Sequence, residues 1–269
     1  MHGLGNDFVV LDARQRAIPL PEATVRAIAD RHTGVGFDEM LIIEAARDPQ
    51  AEFYMGIRNA DGSEAEACGN GARCVAWLLM QERGTNHIVL ETRGGLIEAQ
   101  IESDGRVTVD MGPARTDWRE IPLSAPIDTL HLPITEGPLT DPVGVSMGNP
   151  HAVFFVPDAE AIDLPALGPG LEHHKLFPQR ANIEVVSILS PTQIRMRVWE
   201  RGAGITRACG SGACAVLVAA VRRGLTGRKA EIVLDGGPLS IQWREDGHVL
   251  MTGPVTLAFA GTLDPALLP

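Results

Sequence analysis

Lysine is nearly absent from this chain: among its 23 basic residues only Lys175 and Lys229 are lysines. Neither lies in a glycine-rich or otherwise site-like setting. A pyridoxal-phosphate enzyme needs a Schiff-base lysine, so that cofactor is not expected. Positive charge is short as well. The formal net charge is −11, with no clustered basic stripe, which argues against nucleic acid, whose phosphates demand a positive face. Long apolar runs are missing, since polar residues interrupt each one before the roughly 18 residues of a membrane span. The N-terminus shows no basic segment followed by an apolar core, so no secretion signal is read and the expected location is the cytoplasm. Cysteine is scarce, at positions 68, 74, 209 and 214. In a reducing compartment these are thiols. Their pairs are six and five residues apart, wider than the usual zinc-ligand spacing, and on helices the members would point about 240° and 140° apart. No metal is expected.

What is present is a duplication. Ala67-Cys68-Gly69-Asn70-Gly71-Ala72 returns as Ala208-Cys209-Gly210-Ser211-Gly212-Ala213, displaced by 141 residues. Gly94-Gly95, Asp104-Gly105 and Val107 recur as Gly236-Gly237, Asp246-Gly247 and Val249 at an offset of 142. Gly5-Asn6 answers to Gly148-Asn149 at 143. A near-constant offset over three segments marks two related halves. In each, the Cys-Gly-x-Gly turn leads into an almost continuous apolar run, from Cys74 to Met80 and from Ala213 to Val221. Such a run is a helix buried on all sides, ending near Gly84 or Gly224. Short strands follow at 87–92, 96–102 and 106–111, and again at 231–234, 239–244 and 248–251, with hairpin turns at Asp104-Gly105 and Asp246-Gly247. The predicted fold is α+β. Each half is a curled, mostly antiparallel, barrel-like sheet around a central buried helix, with an active site in the cleft between the halves. The expected division is 1–115, joined by the tail 256–269, and 116–255. The proline- and glycine-punctuated stretch 117–141 reads as a connector.

Cys68 and Cys209 stand where the two buried helices begin. The first N–H groups of a helix lack internal acceptors and carry partial positive charge. A thiol there is expected to have a lowered pKa, and the free N–H groups form an anion site. Were two such starts to converge on a carboxylate, its α-carbon would lie between two sulfurs. One thiolate would remove the α-proton and the other thiol would return a proton to the opposite face, with the N–H donors stabilising the carbanion. A single cysteine before a helix is usually a small core residue; the duplicated context argues otherwise for these two. Cys74 and Cys214 lie inside the apolar runs and are read as core.

At these residues the sequence resembles the diaminopimelate epimerase family. Six segments carry the resemblance, in the family's order: 2–8 (HGLGNDF), 59–66 (NADGSEAE), 68–74 (CGNGARC), 147–151 (MGNPH), 199–204 (WERGAG) and 208–213 (ACGSGA). The resemblance implies reversible conversion of L,L-diaminopimelate to the meso form, in amino-acid (lysine) biosynthesis, with no cofactor. It implies Cys68 and Cys209 as the acid–base pair, and Gly69, Asn70, Gly210 and Ser211 holding the reacting carboxylate through backbone N–H groups. Asn6 and Glu39 would lie near the reacting amino acid. Asn59, Asn149, Asn182, Glu200 and Arg201 would read the distal end, and His151 would sit beside the cysteines. Adjacent Glu200 and Arg201 suit a distal zwitterion, one accepting from an ammonium and the other gripping a carboxylate. Glu39 departs from the family, which typically has glutamine there. The implied partners are the amino-acid substrate and at most a second copy of the chain as a homodimer, with no nucleic acid and no membrane. Two alternatives remain at this stage. One is a proline or hydroxyproline racemase, which shares the two-thiol logic but typically has histidine at the position of Asn70. The other is a thiol redox protein.

Overall fold

Two helices that are apolar almost all round organise the chain, each with its own run of strands. The computed structural model describes residues 1–267. It divides into one unit of residues 1–109 with 253–269, and a second of 110–252. The expected divisions at 115 and 255 fall a few residues later than these; the first observed boundary lies inside a strand, Val107–Pro113.

In the first unit the strands are β1 (His2–Gly3), β2 (Asn6–Asp12), β3 (Glu39–Ala45), β4 (Phe53–Asn59), β5 (His87–Thr92), β6 (Gly95–Ile101) and β7 (Val107–Pro113). They lie side by side in chain order. Helix α1 (Glu22–Ala29) follows β2, and α2 (Gly69–Arg83) follows β4. Pairing is antiparallel except at β2/β3 and β4/β5. Those two parallel joins arise because a helix-containing connection carries the chain back to the same end of the sheet. Helix α2 touches β1, β2, β3, β5 and β6, which requires the sheet to curl around it. Cys74, Val75, Ala76, Leu79 and Met80 are fully buried there. Helix α1 instead packs Val25 and Ile28 against Phe37, Met40 and Ile42. Thr256, near the C-terminus, bridges to His2, tying the tail to this unit.

The second unit repeats the plan. A two-stranded β8 (Thr135–Glu136) and β9 (Leu139–Thr140) precede β10 (Val143–Ser146), β11 (Pro150–Phe155), α3 (Leu164–Glu172), β12 (Asn182–Ser190), β13 (Gln193–Glu200) and β14 (Gly204–Ile205). Then come α4 (Gly210–Arg222), β15 (Lys229–Leu234), β16 (Gly237–Trp243) and β17 (His248–Gly253). The order β10-β11-β12-β13-β15-β16-β17 again has parallel joins only at its second and fourth pairings. Helix α4 touches β10, β11, β12, β13, β15 and β16, and every residue from Gly212 to Ala220 is buried. Among the described residues no helix is long and apolar enough to cross a membrane. Segment 117–141 is more than a connector. Ile121, Leu123, Leu132, Ile134 and Leu139 are buried in the core of this unit with Phe154 and Ile183; spaced among prolines, they show no period by which a sequence reading could find them.

Candidate active site

Both duplicated cysteines are helix N-caps. Cys68 has extended backbone (φ −144°) and its sulfur accepts the Gly71 N–H at 3.3 Å. Cys209 (φ −108°) accepts the Gly212 N–H at 3.4 Å. The chain turns inward at each so that a sulfur takes the place usually held by a serine or aspartate oxygen. Glycine at the third position leaves room for the sulfur. A Cβ on Gly71 would lie 3.3 Å from the Cys68 sulfur and 3.0 Å from both methyls of Leu41; one on Gly212 would lie 3.2 Å from the Cys209 sulfur, 2.9 Å from Glu184 Oε1 and 2.8 Å from Met196 Cε.

Around Cys68, the sulfur lies 3.4 Å from Glu39 Oε2 and 4.0 Å from Asn6 Oδ1. Asn6 donates from Nδ2 to Glu39 and to Asp38, and accepts from Asn70 Nδ2 at 3.1 Å. Asn59 faces Glu39 across β3/β4 and donates to the Ser63 hydroxyl. Gly69 opens α2. Asp38, not anticipated, accepts from the Asp7 N–H and from Arg31, which also grips Asp7 through two N–H···O bonds of 2.8 Å. That buttress fixes the strand end from which Asn6 and Glu39 project.

Around Cys209, the Ser211 hydroxyl lies 3.6 Å from the sulfur, and Asn149 Nδ2 donates to that hydroxyl at 3.4 Å. Asn149 Oδ1 is 2.9 Å from His151 Nε2, whose Nδ1 is 2.6 Å from Glu184 Oε1. His151 and Glu184 are both wholly buried. His151 reaches the thiol through Asn149 and Ser211. Glu200 hydrogen-bonds Thr206 and faces the Cys209 thiol, which donates to it. Gly210 opens α4. Arg201, the next residue after Glu200, lies in the turn that follows β13, and its guanidinium donates to the Gln179 carbonyl at 3.2 Å. Glu200 and Arg201, expected as one zwitterion-reading pair, therefore serve different neighbours. Asn182 uses its amide on backbone, donating to the Pro150 carbonyl and accepting the Arg201 N–H. Glu172, also not anticipated, accepts from the Trp199 indole and the Gly202 N–H, and so holds the turn that carries Arg201.

The lowered thiol pKa expected at a helix start is not what this surrounding produces. Burial pushes both Cys68 and Cys209 well above the ordinary thiol value. Glu39 adds to this at Cys68, while Glu200 and then Glu184 add to it at Cys209. The helix N–H groups oppose the rise without cancelling it, because desolvation of a thiolate outweighs one or two N–H donors. Burial likewise raises Glu200. Cys74, held in the core, is pushed up to about 11 by burial, as befits an inert packing residue. Cys214 is equally buried.

The sequence profile of the family described as Diaminopimelate epimerase matches residues 1–116 and 143–258. A diaminopimelate epimerase of Rhodospirillum centenum is 64% identical over 269 residues, covering all of this chain and 92% of the relative. That of Acidiphilium cryptum is 55% identical over 268 residues, covering all of this chain and 96% of the relative. Among solved structures, a probable proline racemase from Agrobacterium radiobacter with bound carbonate superposes at a TM-score of 0.67, with 17% identity, covering 98% of this chain and 92% of that one. A predicted epimerase from Pseudomonas aeruginosa gives 0.63 with 22% identity, covering 93% and 90%. At such identity these two establish a common fold and nothing finer.

Proposed function

This chain belongs to the diaminopimelate epimerase family, and on that premise we propose that it interconverts L,L- and meso-diaminopimelate by moving an α-proton between two thiols. The observation that carries the reading is the pair of cysteine N-caps, each bound to the N–H of a glycine at which a side chain would crowd the sulfur. Cys68 and Cys209 act on opposite faces of one α-carbon. The thiolate of one takes the proton, leaving a carbanion whose charge spreads into the carboxylate. The thiol of the other donates a proton to the far face. One proton leaves and one arrives, no electrons are exchanged, and the two sulfurs have swapped protonation states, so the next turnover runs from the other side. The helix-start N–H groups of Gly69, Asn70, Gly210 and Ser211 receive the carboxylate.

High thiol pKa values suit this chemistry. A thiolate that is costly to form is a strong base, and what raises it is partly the carboxylates Glu39 and Glu200. A substrate ammonium set against either carboxylate would offset that repulsion, so ionisation is coupled to binding. Asn6 and Glu39 address the reacting amino acid. Asn59, Asn149 and Arg201 address the distal end, with Asn182 holding the Arg201 backbone, and no cofactor takes part. The test is proton NMR of L,L-diaminopimelate with the reduced protein in deuterium oxide. Loss of the α-proton signal with formation of the meso isomer is expected. Inertness toward diaminopimelate together with inversion of proline would replace this reading with the racemase one.

A further inference from the structure

One buried pair beside Cys209 has no role in the scheme above. Glu184 projects from near the start of β12, in an otherwise apolar stretch from Ile183 to Val186, and is fully buried. Its Oε1 meets His151 Nδ1 at 2.6 Å, and its Oε2 has no hydrogen-bond partner. A buried carboxylate with one oxygen unsatisfied is costly to keep in a fold, which points to a role beyond packing. From it runs a continuous chain of polar contacts: His151 Nε2 to Asn149 Oδ1 at 2.9 Å, Asn149 Nδ2 to Ser211 Oγ at 3.4 Å, and Ser211 Oγ to Cys209 Sγ at 3.6 Å.

The polarity of the chain is set by the Asn149 amide, which presents Oδ1 to His151 and Nδ2 to Ser211. An oxygen facing Nε2 calls for an N–H there, and the 2.6 Å contact between Nδ1 and Glu184 then needs a second proton, held between ring and carboxyl. Ser211 then accepts from Asn149, and its own hydrogen is directed to the sulfur. We propose that Glu184 is a positioning residue for the reaction: acting through His151, Asn149 and Ser211, it aims a hydroxyl donor at Cys209 and so favours the thiolate of that cysteine alone. The groups facing Cys209 are Glu200 from β13, Glu184 from β12, Ser211 from its own helix and, behind Glu184, His151 from β11. The charge of Glu184 by itself would disfavour a thiolate, but the proton held between it and His151 Nδ1 at 2.6 Å offsets most of that charge, leaving the donor as the net effect.

The inference deepens the epimerase reading but is tested without substrate. In Glu184→Gln, neutral imidazole can bind the amide through Nδ1–H, which frees Asn149 to reverse and draws the Ser211 hydrogen away from sulfur. Alkylation by iodoacetamide as a function of pH, followed peptide by peptide in the mass spectrometer, reports each cysteine separately. Glu184→Gln should raise the pH midpoint for Cys209 by about one unit, a tenfold loss of thiolate at fixed pH, and leave Cys68 where it was. Glu184→Leu should do the same or more if it folds; the isosteric Gln variant carries the test if it does not. In turnover, kcat should fall with little change in KM. A Cys209 midpoint that stays put, or moves down, overturns the proposal. A shifted midpoint in a protein that does not turn over diaminopimelate would refute the epimerase reading and leave this one standing.

Discussion

Set side by side, the surroundings of Cys68 and Cys209 share a backbone and differ in chemistry. The registers pair Phe8 with Glu39 in the first unit and His151 with Asn182 in the second, so Phe8 answers to His151 and Leu41 to Glu184. The glycine contacts say the same: what Gly71 would strike is Leu41, and what Gly212 would strike is Glu184. Under Cys68 the two positions are apolar; under Cys209 they form a buried ion-pairing couple. The carboxylates nearest the thiols have also traded strands. Glu39 begins β3 opposite Asn59, whereas its counterpart Asn182 begins β12 and the carboxylate is Glu200 at the end of β13. A duplicated scaffold thus keeps the cysteine, the cap and the glycine, and varies which element supplies charge. This is the expected outcome where a near-symmetric reaction acts on a substrate whose two faces differ.

The largest test of that comparison is removal of the sulfurs. Cys68→Ala and Cys209→Ala should each reduce epimerisation by roughly a thousandfold or more, with circular dichroism unchanged. Each should also retain α-deuterium exchange with only one of the two stereoisomers, a different one for each variant. Equal residual exchange on both isomers would break the one-face-per-thiol assignment.

Next is Arg201, which has no counterpart charge in the first unit. Arg201→Ala should raise KM about 10- to 100-fold through loss of charge-assisted bonds to the distal carboxylate. The melting temperature should barely move, since the guanidinium makes one exposed bond to backbone. An unchanged KM would remove Arg201 from the site.

Alanine at the two cap glycines sharpens the contrast in packing. Gly212→Ala presses on a buried, hydrogen-bonded carboxylate and a methionine, and should cost about 1–3 kcal/mol by denaturant unfolding. Gly71→Ala meets leucine methyls that can rotate aside, and should cost less. The reverse order would mean that Glu184 is free to yield.

Replacing Glu39 by Gln removes a charge 3.4 Å from the Cys68 sulfur. Cys68 should alkylate several-fold faster at pH 8, with Cys209 unaffected. No acceleration would show that burial alone sets the Cys68 thiol.

The smallest effect is on stability at Glu200. Its folded pKa is raised by burial, so it favours the folded state below its unfolded value of 4.5 and loses that contribution as pH rises through the folded value. Glu200→Gln should therefore match the parent in acid and melt higher at neutral pH, even though catalysis suffers. A variant that melts lower at neutral pH would mean that the Thr206 and Cys209 bonds outweigh desolvation.

Much of this was legible in the chain. The repeat at offsets of 141 to 143 announced two copies of one unit. The all-round apolar runs announced central helices, since a helix without a polar face has nowhere to lie but inside. Gly84 ends α2 in the left-handed conformation, at φ 65°, as its position predicted; at α4 the cap is Arg223 and Gly224 follows it with φ 68°. Strand β5 occupies the expected 87–92. Glu184 could have been noticed as a lone acid in an apolar strand, a residue that burial forces to find a partner. Nothing local tells that the partner is His151, 33 residues away.

What the sequence determined by itself is whatever depends on neighbours along the chain: helix starts and ends, the cysteine caps, the glycines beneath them, the duplication. Tertiary structure alone decided what depends on side chains from different strands meeting in a dry interior. It parted Glu200 from Arg201, drew the segment 117–141 into a core, and set two thiols above their ordinary pKa at positions where helix geometry alone would have lowered them. The reason is that a local pattern fixes backbone and direction. The cost of a charge is fixed by everything that excludes water from it, and that is assembled only when the strands pair.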